Sequence, residues 1–113
     1  RNSVIYTGTH DNDTVMGWMH HANSHDRDLA IRYLRLDQIE GYHWGFIRGA
    51  WASVADLAIS PMQDLLGLGT EARMNIPSVL GGSNWKWRAK RGYLHPELAE
   101  QLMQLTRLYG RCN

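Results

Sequence analysis

Two short, β-rich apolar runs set the tightest limit on what this chain can fold into. The first is Ser3 to Thr7, centred on Val4-Ile5-Tyr6. The second is Ser53 to Ser60, carrying Val54-Ala55-Asp56-Leu57-Ala58-Ile59 before Pro61 stops it. The pattern between them is helical. Buried strands separated by helical crossovers predict a parallel α/β sheet. Two such strands cannot stand alone, because a parallel sheet needs both faces and both edges covered. The expected architecture is therefore a piece of a larger barrel or doubly wound sheet. The start fits that expectation: the first residue is Arg1, an apolar run follows at once, and no signal-peptide pattern precedes it.

Polar turn residues Gly8 to Thr14 end the first run. Val15 to His20 then predicts a short helix, with Asp13 or Thr14 as its N-cap. From Asp26 the pattern is helical, with Leu29, Ile31, Tyr33, Leu34 and Leu36 among charged residues. A further helix is expected from about Asp37 to Ala52, its apolar stripe formed by Ile39, Tyr42, His43, Phe46, Ile47 and Ala50. Gly41, Gly45 and Gly49 lie on one face of that helix and predict close packing there. A helical turn is expected at Met62 to Leu66 and an extended loop over residues 75 to 92. A last amphipathic helix is expected from Pro96 to about Tyr109, with Leu98, Leu102, Leu105 and Tyr109 inward and Gly110 as its stop.

Charge narrows the function classes. The chain has 12 Lys+Arg against 11 Asp+Glu, which argues against a general nucleic-acid binder, since phosphate binding needs a basic surplus. The local cluster Lys86, Arg88, Lys90 and Arg91 is interleaved with Trp85 and Trp87. It reads either as a solvated basic face or as a single-strand stacking site. No apolar run reaches membrane-spanning length. The lone Cys112 cannot form an intrachain disulfide, which fits a reducing, cytoplasmic setting.

The strongest chemical signal is Thr9-His10-Asp11-Asn12-Asp13, placed where a parallel strand would end. In α/β barrels that end carries the active site. A His beside an Asp there can do acid/base work, bind a substrate hydroxyl or ligate a metal. The competing reading is an Asx-rich turn capping the next helix. A metal site could recruit His10, Asp11, Asp13, His20, His21, His25 and Asp26, yet no recognised ligand spacing appears, and a calcium-loop pattern fails at Val15 and Met16. Gly67-Leu68-Gly69-Thr70-Glu71-Ala72 matches a dinucleotide-type pattern. It lacks a strand running straight into it and the later acidic residue, so no such cofactor is expected. Five tryptophans suit sugar stacking. Trp44 and Trp51 read as helix packing, whereas Trp85 and Trp87, in a Gly-rich loop, are better site candidates.

Three longer motifs together resemble the 4-α-glucanotransferases (amylomaltase or disproportionating enzyme, glycoside hydrolase family 77). They are Tyr6-Thr7-Gly8-Thr9-His10-Asp11-Asn12-Asp13-Thr14 with Gly17-Trp18, then Pro61-Met62-Gln63-Asp64-Leu65-Leu66-Gly67-Leu68-Gly69. The third is Glu71-Ala72-Arg73-Met74-Asn75-Ile76-Pro77 with Asn84-Trp85-Lys86-Trp87-Arg88. The resemblance runs from about Val4 to Arg88. It departs at Ser78, where the family pattern has Gly, and at a slightly longer Gly81-Gly82-Ser83.

The resemblance implies a (β/α)₈ TIM barrel of the α-amylase-like clan. Val4 to Thr7 would be strand seven and about Val54 to Ser60 strand eight, so that residues 1–113 form the C-terminal portion of the barrel and no complete independent domain. It further implies retaining transfer among α-1,4-glucans, maltooligosaccharides and glucose, with no cofactor or metal and with no nucleic-acid or membrane partner. Asp11 would be the transition-state stabiliser, His10 a contact to the same sugar, and Asn75 a residue near the cleft. Trp85 and Trp87 would pack the loop or line an acceptor subsite. Asp64 and Arg73 would fix the loop. The nucleophile and acid/base would lie on earlier strands, leaving this chain inactive alone. Two other readings remain open at this point: a non-catalytic glucan-binding module, which predicts a self-sufficient fold, and a metal-dependent hydrolase, which predicts sensitivity to chelators.

Overall fold

In the computed structural model, which describes residues 2–112, the two apolar runs pair in parallel. β1 (Val4–Tyr6) lies against β2 (Leu57–Ile59), with Ile5 opposite Ala58. The crossover between them holds α1 (Val15–His21), α2 (Ser24–Leu34) and α3 (Tyr42–Trp51). After β2 come α4 (Met62–Leu65), a 3₁₀ turn (Thr70–Ala72) and α5 (Pro96–Leu108).

β2 is shorter than its apolar run predicts. The Arg111 guanidinium reaches back and donates to the carbonyls of Trp51 (2.7 Å), Ser53 (3.0 Å) and Ala55 (2.9 Å). Those bonds hold the chain in a turn after α3, so Val54 and Ala55 do not extend. The two strands also stand open, as expected of a piece of a larger sheet whose cover lies elsewhere. Val4, Tyr6, Leu57 and Ile59 are exposed, and only the central Ile5 and Ala58 are half-buried. Alternate strand residues share one face, and among the described residues nothing covers the face these four share.

The core forms around α3. Trp44, Ile47 and Leu65 are buried together, and Trp51, Met62, Leu98, Leu102 and Leu105 pack against them. The three α5 leucines recur at the spacing of one helical face, which is why α5 closes this side. Trp44 and Trp51 are packing residues, as expected, and the Trp51 indole donates to Thr106 Oγ1 at 3.1 Å. Tyr109, assigned to the same face, lies past the helix end and is exposed.

α3 begins at Tyr42 rather than near Asp37. Asp37 Oδ1 accepts from the Glu40 amide (2.7 Å) in a separate turn, and Gly41 follows with φ 96°, which breaks helical continuity. Ile39 is therefore outside the stripe and fully exposed. The glycine spacing has its predicted role at Gly45, where a Cβ would run into Leu36 Cδ2. That close approach lets Leu36, past the end of α2, bury against α3 although α2 itself buries no residue.

Helix starts follow cap chemistry. Thr14 Oγ1 accepts from the Gly17 amide at 3.0 Å to open α1. Asn23 caps Asp26 at 2.9 Å, so α2 starts ahead of Asp26. His95 caps Leu98 in front of Pro96, and Gly110 (φ 65°) ends the last turn. Among the described residues no helix is long and apolar enough to cross a membrane.

Candidate active site

The loops following β1 and β2 meet, and their meeting point contains most of the residues singled out in the sequence. The β1 loop is pinned at both flanks by one carboxylate. Asp64, on α4, is 1% exposed. Its Oδ2 accepts from the Thr7 hydroxyl (2.8 Å) at the end of β1, and its Oδ1 accepts from the Val15 amide (2.9 Å) at the start of α1. Inside the loop, Asn12 Oδ1 accepts from both the amide and the hydroxyl of Thr9 (2.9 and 3.0 Å), and Asp13 Oδ1 accepts from the Thr14 amide (2.8 Å). Asn12 and Asp13 shape the loop, as the Asx-turn reading expects, although the residue that caps α1 is Thr14; His10 and Asp11 are left exposed at the tip.

The second loop comes to that tip. Asn75 Nδ2 donates to Asp11 Oδ1 at 2.7 Å, and Arg73 donates to the Asp11 carbonyl at 2.8 Å. Asp11 Oδ2 lies 3.4 Å from His10 Nε2. The His10 and Trp85 rings sit with centroids 5.0 Å apart, tilted by 45°. Four of the five expected site residues, His10, Asp11, Asn75 and Trp85, are therefore brought together. Trp87 lies half-buried on the same loop, with no hydrogen bond or ring contact to the other four. Arg73 braces the loop after β2 as expected, whereas Asp64, expected to fix that same loop, instead pins the flanks of the loop after β1. Thr70, which donates to Asp13 Oδ2 at 3.0 Å, was not singled out, since a lone Thr in a Gly-rich turn carries no signal of its own.

Trp85 is held in an uncommon way. Its φ of 63° puts a bulky residue in the left-handed region, which costs about 1–2 kcal/mol. Its amide donates to the Met74 carbonyl (2.6 Å), and the preceding Asn84 braces the loop through Ile76 and Val79. Ser78 adopts φ 66°, a conformation glycine takes without strain, so the departure from Gly noted there falls at a position where Gly would fit best.

A cleft of about 140 Å³ opens beside the tip, lined by His10, Asp13, Gln63, Asp64 and Met74 among others. Burial raises the pKa of Asp64 above the ordinary carboxylate range, partly offset by its two hydrogen bonds and by His43. Burial lowers the pKa of His43, with the Asp64 charge opposing. Among the described residues no group of three or more His, Cys, Asp or Glu side chains is arranged to hold a metal ion. The Gly67–Ala72 segment follows α4 rather than a strand and ends in a 3₁₀ turn, so it lacks the strand–turn–helix setting of a dinucleotide site. Chemically, the tip offers an open carboxylate, an imidazole, an amide and an aromatic face on one surface, a set suited to a polyhydroxylated ligand.

The family model for 4-alpha-glucanotransferase matches residues 1–94. The chain belongs to the 4-alpha-glucanotransferase family. The 4-alpha-glucanotransferase of Clostridium butyricum is 54% identical over 113 residues, covering 99% of this chain and 23% of that protein. The Synechocystis family member is 49% identical, covering 97% and 22%. An amylomaltase from Streptococcus agalactiae, solved in complex with acarbose, superposes with a TM-score of 0.91 at 33% identity, covering 97% of this chain and 22% of that one. The chain thus spans less than a quarter of the length of these family members and matches part of a larger fold.

Proposed function

We propose that the complete protein containing this chain is a 4-alpha-glucanotransferase that moves α-1,4-glucan segments between maltooligosaccharides and glucose, without cofactor or metal, in the cytoplasm. In this reading β1 and β2 are strands seven and eight of a (β/α)₈ barrel, and residues 1–113 are its C-terminal portion. The reading rests chiefly on one observation: the Asp11 carboxylate, with Oδ1 held by Asn75 and Oδ2 beside His10, lies at the tip of the loop after a parallel strand. Active sites of such barrels form there.

The reaction breaks the bond between C1 of the donor glucose and the 4-oxygen of the leaving sugar. A glutamate outside this chain gives that oxygen its proton, and an aspartate outside this chain takes C1 as an ester. The 4-hydroxyl of an acceptor sugar then attacks C1, returns its proton to the glutamate and frees the aspartate. Both steps pass through an oxocarbenium-like ring carrying positive charge. Asp11 places a fixed negative charge beside that ring and accepts hydrogen bonds from the donor's hydroxyls. His10 and Asn75 contact the same sugar. Trp85, and with it Trp87, offers an aromatic face for a neighbouring sugar.

The exposed apolar residues of β1 and β2 favour a part of a larger barrel over a self-sufficient binding module. The test is product analysis on maltotriose. The complete enzyme is expected to convert it to glucose and longer maltooligosaccharides with the number of reducing ends unchanged. A steady rise in reducing ends without longer products would mean hydrolysis and contradict the reading.

A further inference from the structure

We infer that Arg73 is a positioning residue for the Asp11 carboxylate, a role that rests on the proposed glucan transfer. One guanidinium spans the two loops. Its Nε donates to the Asn75 carbonyl at 2.9 Å, and its terminal nitrogen donates to the Asp11 carbonyl at 2.8 Å. The Asn75 side chain closes the circuit by donating to Asp11 Oδ1 at 2.7 Å. Arg73 thereby fixes the backbone of both residues at a set separation, and Asn75 uses that separation to fix the carboxylate. No side chain of Arg73 reaches the open edge of Asp11 itself, where Oδ2 stands beside His10.

The geometry needs arginine. Two carbonyls on different loops are bridged by the planar fork of a guanidinium, whose donors diverge in fixed directions, whereas a lysine ammonium is a single point of attachment. Without the fork, the β1 loop stays pinned at Thr7 and Val15 through Asp64, so the fold persists while the tip gains freedom. A carboxylate that stabilises a transition state must be in place beforehand, and a misplacement of about 1 Å can cost about 10²-fold in rate. The loss therefore falls on kcat rather than on KM.

The experiment uses the complete enzyme and an α-maltotriosyl fluoride donor, which keeps slow variants measurable. Arg73→Met is expected to lower kcat about 10²-fold with KM within about twofold, and Arg73→Lys to retain an intermediate rate. The deciding readout is a double-mutant cycle. In an Asp11→Asn background, either Arg73 substitution is expected to cost less than about twofold, because the group it positions has already lost its charge. Equal losses in both backgrounds would overturn the proposal and leave Arg73 as a general structural brace. So would wild-type kcat in folded Arg73→Lys and Arg73→Met enzymes. Should Arg73→Met fail to fold, Arg73→Lys carries the same cycle. A near-normal rate for Asp11→Asn alone would instead remove the functional reading on which the proposal stands.

Discussion

Asp11→Asn in the complete enzyme is expected to lower turnover about 10³-fold with little change in stability. The substitution removes the negative charge but keeps the shape. An asparagine oxygen can still accept from Asn75 Nδ2, now 2.7 Å from Asp11 Oδ1. The side chain is about half exposed, so no buried charge is gained or lost. Substitutions at such sites usually change stability by less than about 0.5 kcal/mol. The rate effect is large because the oxocarbenium-like ring carries its charge mainly in the transition state, where a fixed anion counts most. Turnover of maltotriose and a thermal melt of the same sample separate the two effects. A near-normal rate would remove Asp11 from the mechanism.

The largest stability effect is expected at Asp64. Asp64→Ala leaves the buried Val15 amide and the Thr7 hydroxyl without their acceptor. The Thr7 hydroxyl can turn to Ser60 Oγ, 3.0 Å away, but the buried Val15 amide has no substitute, and a buried donor left unpaired costs about 1–3 kcal/mol, so about 2 kcal/mol should disappear from the unfolding free energy. Asp64→Asn should lose less, because one oxygen acceptor remains. The pH dependence follows from the direction of the shift. Burial raises the folded-state pKa of Asp64, so its contribution is fully present below the ordinary carboxylate pKa and is lost as pH rises through the raised value. The stability gap between wild type and Asp64→Asn should therefore be widest in acid and narrow toward neutrality. Denaturant melts of both proteins across that range check it, and a gap that widens with pH would contradict the assignment.

What was legible in the sequence was local. The parallel pair, the helical crossover, the cap at Thr14, the helix-opening Pro96 and the α5 leucine stripe are all set by short-range periodicity and turn chemistry. The site was legible through motif residues at the ends of two strands. The misses came from contacts that join distant residues. Arg111 shortens β2 by taking carbonyls near residue 53, and nothing near Val54 signals it. Gly41 stops the helical pattern that Ile39 seemed to extend, because its φ of 96° leaves the helical region. The Asn75–Asp11 bond and the Arg73 bridge link residues more than sixty positions apart, so spacing alone could not pair them. The exposed strand faces follow from the same limit: a hydrophobic run tells that a partner is needed, not where in the sequence the partner lies.

The most direct test of the central claim is where the sugar becomes attached. The complete enzyme, treated with a 5-fluoro glycosyl fluoride that accumulates the glycosyl-enzyme, can be digested and its labelled peptide identified by mass spectrometry. The account predicts a labelled aspartate outside residues 1–113, with Asp11 unmodified. A label on Asp11 would make it the nucleophile and contradict its assignment as the transition-state stabiliser.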